Sequence, residues 1–343
     1  MGIDPWSTDL GLSLCSLVQD LTMTVLVAGG AGYIGSHFVR CLEEHGESAV
    51  VLDDLSTGFA EAIPDHVPLV RCAIGDRAAV RSVLEEVAPE AVVDFAGLIQ
   101  VGESMRSPDR YYGVNVSQTI AFLDEIVRSG VKTFVFSSSA AVYGNPIRVP
   151  IDEDHPKEPI NPYGATKLIV EMAARDYARA YGLRVACLRY FNAAGAHADG
   201  TLAERHDPET HLIPLAIDAG LGRRPELTVF GDDWSTPDGT CVRDYIHVMD
   251  LAEAHWLAIE KLRNDTPTLS LNLGTGNGYS VRQIIDAVSD VLGKAVPYHI
   301  GPRRDGDPPS LVASSNRARN VLGWNPTRLQ LDTIVQDAVR SRT

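Results

Sequence analysis

The sequence lacks any apolar segment long enough to cross a membrane, and it is poor in basic residues. Its 343 residues include 30 lysines and arginines against 45 aspartates and glutamates, so the formal net charge is -15. Nucleic acids and anionic membrane surfaces would repel such a chain, and neither is an expected partner. An anionic small substrate is not excluded, because its binding requires only a local basic pocket.

Cysteine is scarce, and the histidines lack the spacing of metal ligands. The cysteines form neither a paired framework nor a metal-binding pattern: Cys15, Cys41, Cys72, Cys187 and Cys241. We expect buried free thiols in a cytoplasmic protein. The ten histidines include no HxxxH pair, so the sequence predicts no metal site.

Residues 1–22 lack the basic segment that a secretory signal peptide requires. Asp4 and Asp9 stand where positive charge would be needed. Because Met23 directly precedes the first β-prone run, we expect residues 1–22 to be a non-native or disordered leader.

The sequence does contain a glycine-rich turn, at residues 29–36. A β-prone run leads into Gly29, Gly32 and Gly35, and a helical pattern follows. This spacing is typical of the turn that places a dinucleotide pyrophosphate at a helix N-terminus. Asp53 and Asp54 end a second apolar run about twenty residues later, where an acid can bind the adenosine ribose. An acid there repels a 2′-phosphate, so the sequence predicts NAD rather than NADP.

Apolar runs alternate with helical patterns over residues 23–190. This alternation predicts an α/β, Rossmann-like doubly wound parallel sheet that forms the NAD-binding domain. After residue 190 the elements shorten and proline and glycine increase, which predicts a smaller C-terminal α/β substrate lobe over 191–343. Within it, we expect a strand and helix at about 241–262 to return to the main sheet.

Tyr163 and Lys167 are four residues apart in a helical pattern and therefore share a helix face. A neighbouring ammonium lowers the pKa of a phenol, which could then take a proton from an alcohol during hydride transfer. Ser139 ends a predicted strand and can hydrogen-bond the same alcohol. These three residues are the predicted catalytic set.

Four motifs carry a resemblance to a known family: residues 29–36, residues 137–139 with Tyr163 and Lys167, residues 189–192 and residues 242–248. Together they resemble the UDP-glucose 4-epimerases, which are extended short-chain dehydrogenases/reductases. The resemblance implies reversible 4-epimerisation of a UDP-hexose, UDP-galactose to UDP-glucose, through a 4-keto sugar with tightly held NAD. It also implies a homodimer, and apolar contacts could come from Tyr111, Tyr112, Leu123, Ile169 and Met172.

The resemblance also implies contacts to both ligands. Contacts to NAD are expected at Gly29, Gly32, Tyr33, Ile34, Gly35, Asp53, Asp54, Ser56, Thr57, Gly58, Ala73, Ile74, Phe95, Ala96, Gly97, Asn115, Ser137, Tyr163, Lys167 and Phe191. Contacts to the UDP-sugar are expected at Ser139, Tyr163, Asn192, His211, Leu212, Thr228, Val229, Phe230, Arg243, Arg304, Asp307 and Leu311. The two arginines suit a pyrophosphate, because a guanidinium binds phosphate oxygens through two N–H groups.

The sequence departs from the family at two places and leaves its substrate open. Ala73 replaces an acid near the adenine, and residues 98–100 lack a frequent lysine. Leu311 stands where the family limits the pocket, which favours UDP-glucose and UDP-galactose over N-acetylhexosamines. UDP-xylose/UDP-arabinose and UDP-GlcNAc 4-epimerases stay as alternatives, with a non-catalytic NAD-binding regulator as a distant one. Dehydration is disfavoured, because Ala140 and Ala141 follow Ser139 where dehydratases carry an acid.

Overall fold

The computed structural model describes residues 24–264, 268–304 and 307–343. The expected leader at 1–22 lies outside these residues, as does Cys15. The strands are β1 (Thr24–Ala28), β2 (Ser48–Asp53), β3 (Leu69–Arg71), β4 (Ala91–Asp94), β5 (Thr133–Ser139), β6 (Arg184–Tyr190), β7 (Asn192–Ala194), β8 (Leu227–Phe230), β9 (Val242–His247), β10 (Thr268–Leu273), β11 (Gly278–Ser280), β12 (Tyr298–Gly301) and β13 (Ser310–Leu311).

The α-helices are α1 (Tyr33–Glu44), α2 (Arg77–Val87), α3 (Val101–Ser104), α4 (Pro108–Tyr111), α5 (Thr119–Ser129), α6 (Pro162–Tyr181), α7 (Leu212–Gly220), α8 (Val248–Arg263), α9 (Val281–Leu292), α10 (Asn316–Leu322) and α11 (Leu331–Arg340). A π-helical segment, Tyr112–Gln118, joins α4 to α5, so the long helix predicted from about 108 to 129 changes its winding midway. None of the helices described is long and apolar enough to span a membrane.

Seven parallel strands form the main sheet in the order β10-β6-β5-β4-β1-β2-β3. Alternate residues of each strand face opposite sides, so Val25 and Val27 enter one core and Leu26 the other. Helices α1 and α8 cover the first face, and α2, α5 and α6 cover the second. The predicted doubly wound α/β fold is confirmed.

The strand order reverses between β1 and β4, which lie side by side although β2 and β3 separate them in the chain. In such sheets a crevice opens at the carboxyl ends of the two strands at this switch point. The residues that follow Ala28, Asp94 and Ser139 therefore lie at the same edge of the sheet.

The segment 241–262 divides between the two lobes. Its strand, β9, pairs with β7, β11 and β13 in a four-stranded sheet and not with the main sheet. Arg243 and Asp244 interrupt its apolar pattern, whereas inner strands of parallel sheets are nearly continuously apolar. The following helix α8 packs against α1, and the strand that does return is β10, beside β6. Our expectation was therefore wrong for the strand.

The smaller lobe has its own apolar core. Helices α7, α9 and α11 supply most of it, through residues such as Ile217, Ile284 and Ile334. The two-stranded sheet of β8 and β12 lies against this core through Val229.

Candidate active site

The glycine turn has no room for side chains at the two positions that shape it. Gly29 has φ +72°, and a Cβ there would lie 2.6 Å from the backbone nitrogen of Ala96. A Cβ on Gly35 would lie 2.3 Å from the carbonyl oxygen of Gly29. Gly32 is the N-cap of α1 and offers no side-chain cap, so the first N–H groups of the helix are available to an anion. The cradle fits a pyrophosphate.

Asp53 supports this turn from β2. Its carboxylate accepts hydrogen bonds from the backbone N–H groups of Ala31 (2.9 Å) and Leu55 (2.8 Å). Burial raises the pKa of Asp53, and these two hydrogen bonds oppose the shift. Asp54 is exposed and accepts a 2.8 Å hydrogen bond from the backbone N–H of Ser56. Of the two acids, Asp54 is thus the more accessible to a ligand.

The remaining predicted cofactor contacts border the turn. Ser56, Thr57 and Gly58 follow Asp54, and a Cβ on Gly58 would lie 2.9 Å from Ala31. Ala73 and Ile74 follow β3, and the Ile74 side chain is buried in the core.

The loop after β4 is fixed by Asn115. This amide accepts a hydrogen bond from the backbone N–H of Leu98 (2.8 Å) and donates to the Leu98 carbonyl (2.9 Å) and the Thr166 hydroxyl (3.3 Å). Gly97 has φ +145° beside it. The Asn115 side chain thus holds the backbone after Phe95 and Ala96 in place, and its polar atoms are already paired.

Helix α6 brings Tyr163 and Lys167 to the end of β5. The helix begins behind Asn161, whose side chain accepts a 2.8 Å hydrogen bond from the backbone N–H of Gly164. The Lys167 ammonium donates to the Ser137 carbonyl at 2.9 Å and lies 6.0 Å from the centre of the Tyr163 ring. The Ser139 side chain lies beside the Tyr163 hydroxyl and lowers its pKa. The structure therefore brings the three predicted catalytic residues together.

The pKa of Tyr163 differs from our expectation. Burial raises it above the ordinary phenol value, and the neighbouring Ser139 side chain only partly opposes this. The Lys167 ammonium donates to the Ser137 carbonyl, and its positive charge does not outweigh the effect of burial on Tyr163. Burial also lowers the pKa of Lys167, to about 8, against the attraction of Asp94 and Glu171.

Asp94, the last residue of β4, is a site residue that the sequence did not single out. It is fully buried, and one carboxylate oxygen accepts a 3.0 Å hydrogen bond from the Ala96 backbone N–H. The other oxygen has no hydrogen-bond partner in the described part of the chain. Burial raises its pKa to about 7, and Lys167 opposes this shift. An acid within the apolar run 91–95 was the available signal.

Ser137 and Tyr190 close the inner side of the site. The Ser137 hydroxyl makes a short hydrogen bond with the Tyr190 hydroxyl, and burial raises the pKa of Tyr190. Behind them, Arg189 and Glu171 form a fully buried pair at 2.6 Å. This paired charge fixes β6 against α6 below the catalytic residues.

The smaller lobe places Leu311 against the segment that follows Ser139, with Arg243 and Asp307 close to Leu311 in β9 and the chain before β13. Leu311 pairs in register with Arg243 across β13 and β9. Leu311 and Phe191 pack on the short 3₁₀ helix Ala140–Tyr143 that follows Ser139. The Arg243 guanidinium donates to its neighbour's carbonyl at 2.9 Å and lies 3.5 Å from the Asp307 carboxylate.

Other predicted substrate contacts are buried in the smaller lobe, paired with another side chain or located on the surface. The Val229 side chain is buried in the core of the smaller lobe, so only its backbone could reach a ligand. The Thr228 hydroxyl contacts His299 at 3.3 Å. The Arg304 guanidinium stacks 4.4 Å from the Phe230 ring centre, on the surface.

Asn192 and His211 begin two neighbouring elements of the smaller lobe. Asn192 is the first residue of β7, in register with Tyr245 of β9. His211 caps α7, which begins at Leu212, and its ring nitrogen Nδ1 lies 2.9 Å from Glu209 and 3.0 Å from Glu204. The sequence analysis did not anticipate this pairing.

Comparisons with known proteins agree with this geometry. Residues 25–274 match the NAD dependent epimerase/dehydratase family. UDP-glucose 4-epimerases of Halalkalibacterium halodurans and Azospirillum brasilense are 48% and 50% identical to this chain; the alignments cover 92% of this chain in both cases, and 94% and 90% of those proteins. The crystal structure of UDP-glucose 4-epimerase from Brucella ovis in complex with NAD is 49% identical, with a TM-score of 0.90 over 93% of this chain and 98% of that one.

A dinucleotide cradle beside a Tyr–Lys pair on a doubly wound sheet defines the class of dehydrogenase-like enzymes that bind a nicotinamide cofactor. The chain belongs to the NAD dependent epimerase/dehydratase family and, within it, to the UDP-glucose 4-epimerases. The resemblance inferred from the motifs is thereby confirmed.

Proposed function

We propose that this chain interconverts UDP-galactose and UDP-glucose by NAD-dependent epimerisation at C4 of the sugar. The observation that carries the proposal is the grouping of Ser139, Tyr163 and Lys167 at the sheet edge that also holds the glycine turn. The relatives at 48% and 50% identity bear this activity in their names.

The residues present fit NAD. The turn at Gly29 and Gly35 leaves room for a pyrophosphate against free helix N–H groups, and Asp54 is exposed for the ribose. When bound, NAD accepts a hydride from C4 of the sugar and returns it, which is how a 4-keto sugar arises between the two epimers.

Tyr163 is the residue that moves the proton. Its hydroxyl removes the proton from the sugar's 4-hydroxyl and later returns one to the 4-oxygen. Ser139 lies beside Tyr163 and can orient the same oxygen. Lys167 supplies positive charge, and its bond to the Ser137 carbonyl at 2.9 Å holds that charge at the base of the site.

Substrate selection rests on the smaller lobe. Arg243 and Arg304 provide guanidinium groups for the UDP pyrophosphate. Leu311 narrows the space next to Phe191 and Ser139, which favours a hexose over a sugar with an N-acetyl group at C2. Activity on UDP-GlcNAc or on UDP-xylose is the alternative.

A homodimer and a cytoplasmic location also belong to this proposal. Ile169 and Met172 of α6 and Tyr112 are partly or largely exposed and can supply an apolar contact surface. Tyr111 and Leu123 are fully buried, so they belong to the core and not to such a surface. Cys41, Cys72, Cys187 and Cys241 are free and buried, which suits a reducing compartment.

The first test is conversion of UDP-galactose to UDP-glucose by the purified protein without added NAD. We expect activity from the unmodified chain and a loss of about 10²- to 10⁴-fold in Tyr163→Phe, because only the proton-transferring hydroxyl is removed. Tyr181→Phe, at the exposed end of the same helix, is the matched control and should retain full activity.

The outcomes separate the parts of the proposal. Turnover that requires added NAD would contradict tight cofactor binding but keep the reaction. Turnover of UDP-GlcNAc or UDP-xylose in place of UDP-galactose would overturn the substrate and the role of Leu311. An inactive chain with all of these sugars would leave the NAD-binding regulator as the better account.

A further inference from the structure

The loop between β7 and α7 brings four side chains together. His211 is an expected substrate contact, but the proposed reaction gives the group of four no role. Glu204, His206, Glu209 and His211 place their carboxylate oxygens and ring nitrogens within 4.8 Å of one another. His211 Nδ1 lies 2.9 Å from Glu209 and 3.0 Å from Glu204. His206 Nδ1 lies 3.6 Å from each of the same two carboxylates. Both imidazoles therefore face the same pair of carboxylates.

Hydrogen bonds satisfy only part of this cluster: Glu209 Oε1 accepts from the backbone N–H groups of Thr210 (2.8 Å) and His211 (2.9 Å) and lies 2.9 Å from His211 Nδ1. His206 Nδ1 and Glu209 Oε2 are both buried at the atom level, and neither has a hydrogen-bond partner among residues 24–264, 268–304 and 307–343. Leaving a buried polar atom without a partner is destabilising. These two atoms face each other, so one cation between them would remove both costs.

The spacing matches a tetrahedral transition-metal site. Zinc binds imidazole nitrogen and carboxylate oxygen at about 2.0–2.2 Å, so its tetrahedral ligands lie about 3.3–3.6 Å from one another. The imidazole-to-carboxylate separations in the cluster, 2.9, 3.0, 3.6 and 3.6 Å, lie within or somewhat below this range. Mixed nitrogen and oxygen ligands favour zinc over magnesium or calcium, which prefer oxygen alone.

We propose that Glu204, His206, Glu209 and His211 form a structural zinc site. Two carboxylates and two neutral imidazoles balance the charge of Zn²⁺. The protein supplies all four ligands, so no position is open for a reacting water, and the site is structural in type. The sequence analysis expected no metal because it searched for helical His spacing, whereas these ligands come from eight residues of irregular loop.

The position of the site gives it a role in joining the two lobes. The His206 ring meets the edge of the Tyr33 ring at 6.3 Å, and Tyr33 is the first residue of α1, directly after the glycine turn. The Arg342 guanidinium donates to the Glu204 carbonyl at 2.8 Å, and His211 caps α7. A zinc ion would therefore fix the loop between the dinucleotide turn and the helices of the smaller lobe.

A second cluster, formed by Cys41, His45 and Glu253, does not support a metal site in the same way. Its three groups are already paired, with Glu253 accepting from Cys41 at 3.6 Å and lying 2.8 Å from His45. The His45 ring also stacks on Trp256 at 3.6 Å. This cluster therefore supplies the control substitution.

The experiment measures zinc in the full chain, purified without a metal-binding tag, by inductively coupled plasma mass spectrometry. We expect about one zinc per chain. We expect about none in His206→Gln and Glu209→Gln, because each substitution replaces a metal ligand with a side chain of similar size. His45→Ala should retain the zinc. X-ray absorption at the zinc edge should show nitrogen and oxygen ligands at about 2.0–2.1 Å, including two imidazoles.

A second measurement does not depend on the variants folding. Chelator treatment of the unmodified chain should lower its Tm, and added Zn²⁺ should restore it. An unmodified chain that purifies without metal and keeps its Tm under both treatments would overturn the proposal. Zinc retained by both ligand variants, or stoichiometric iron or manganese in place of zinc, would also overturn it.

Discussion

At the scale of single residues, the carboxylate of Asp94 has the largest unexpected effect on the site. It is the end residue of β4, fully buried, and it attracts the Lys167 ammonium that burial otherwise discourages. The same burial holds the pKa of Asp94 at about 7, so both groups titrate near neutral pH. The positive charge of Lys167 beside Tyr163 therefore depends on Asp94, although Asp94 makes no hydrogen bond to Tyr163.

We expect Asp94→Asn to move the alkaline limb of the pH profile of kcat to lower pH by about 1 unit, since an opposite charge nearby raises the pKa of a lysine by 1–3 units. Lys167 would then lose its proton more readily, and the phenolate of Tyr163 would lose support. The profile is measured with UDP-galactose between pH 6 and pH 10. Asp109→Asn, an exposed acid on α4, is the control. An unchanged profile would contradict this role for Asp94.

The same substitution tests stability with a definite sign. The pKa of Asp94 is raised from 3.8 in the unfolded chain to about 7 in the folded one, so the native state binds more protons between these values. Its contribution is full below about pH 4 and is lost as the pH rises through 7. The free energy of unfolding in urea should therefore fall for the unmodified chain as the pH rises over this range, relative to that of Asp94→Asn. The same dependence of the free energy of unfolding on pH in both proteins would refute the raised pKa of Asp94.

At the scale of elements, the turn before α1 is the least tolerant of added volume. A Cβ on Gly35 would lie 2.3 Å from the Gly29 carbonyl and 2.7 Å from the Gly30 Cα, and backbone atoms cannot move aside as a flexible side chain would. An added Cβ on Gly113, in the π-helical segment, would meet no other described residue within 4 Å beyond the neighbouring backbone of its own helix. The two glycines thus form a matched pair.

We expect Gly35→Ala to lower the free energy of unfolding by about 1–3 kcal/mol, the usual cost of overpacking, and to reduce NAD retained through purification. Gly113→Ala should leave both unchanged or gain up to about 1 kcal/mol, because alanine favours a helix. Thermal unfolding and chromatography of nucleotide released by denaturation measure the two effects. Equal behaviour of the two variants would show that the close approach at Gly35 has no consequence.

Elements with a local signal were predictable, and those that depend on distant partners were not. The glycine spacing of residues 29–35 and the four-residue step from Tyr163 to Lys167 each report on one turn or one helix, so the sequence alone located them. The pairing of β9 depends on β7, β11 and β13, which no local pattern encodes. The cluster at residues 204–211 was missed for a different reason: its members are close in the sequence, but an irregular loop has no period that would reveal which side chains meet.

At the scale of the whole molecule, α6 and the segment before α5 leave apolar side chains on the surface. Met172 is 54% exposed and Tyr112 40% exposed. If these faces form the contact of a homodimer, a charge at the centre of the patch would have to be buried without a partner.

We therefore expect Met172→Glu to convert a dimer into a monomer, measured by sedimentation equilibrium across a range of concentrations. Tyr298→Glu on β12, another large and exposed side chain (41%) in the smaller lobe, should leave the mass unchanged. A dimer that persists in Met172→Glu would place the interface elsewhere, and a monomeric unmodified chain would remove it.

The return of β10 to the main sheet also has a consequence for synthesis of the chain. Strand β6 ends at Tyr190, but its neighbour β10 is complete only at Leu273, and the core over the same face includes Trp324. A ribosome adds about 5–20 residues per second, so the edge of β6 stays open for several seconds while the intervening lobe is made. An open edge recruits other strands. The nascent chain is therefore expected to rely on chaperones until its last third emerges.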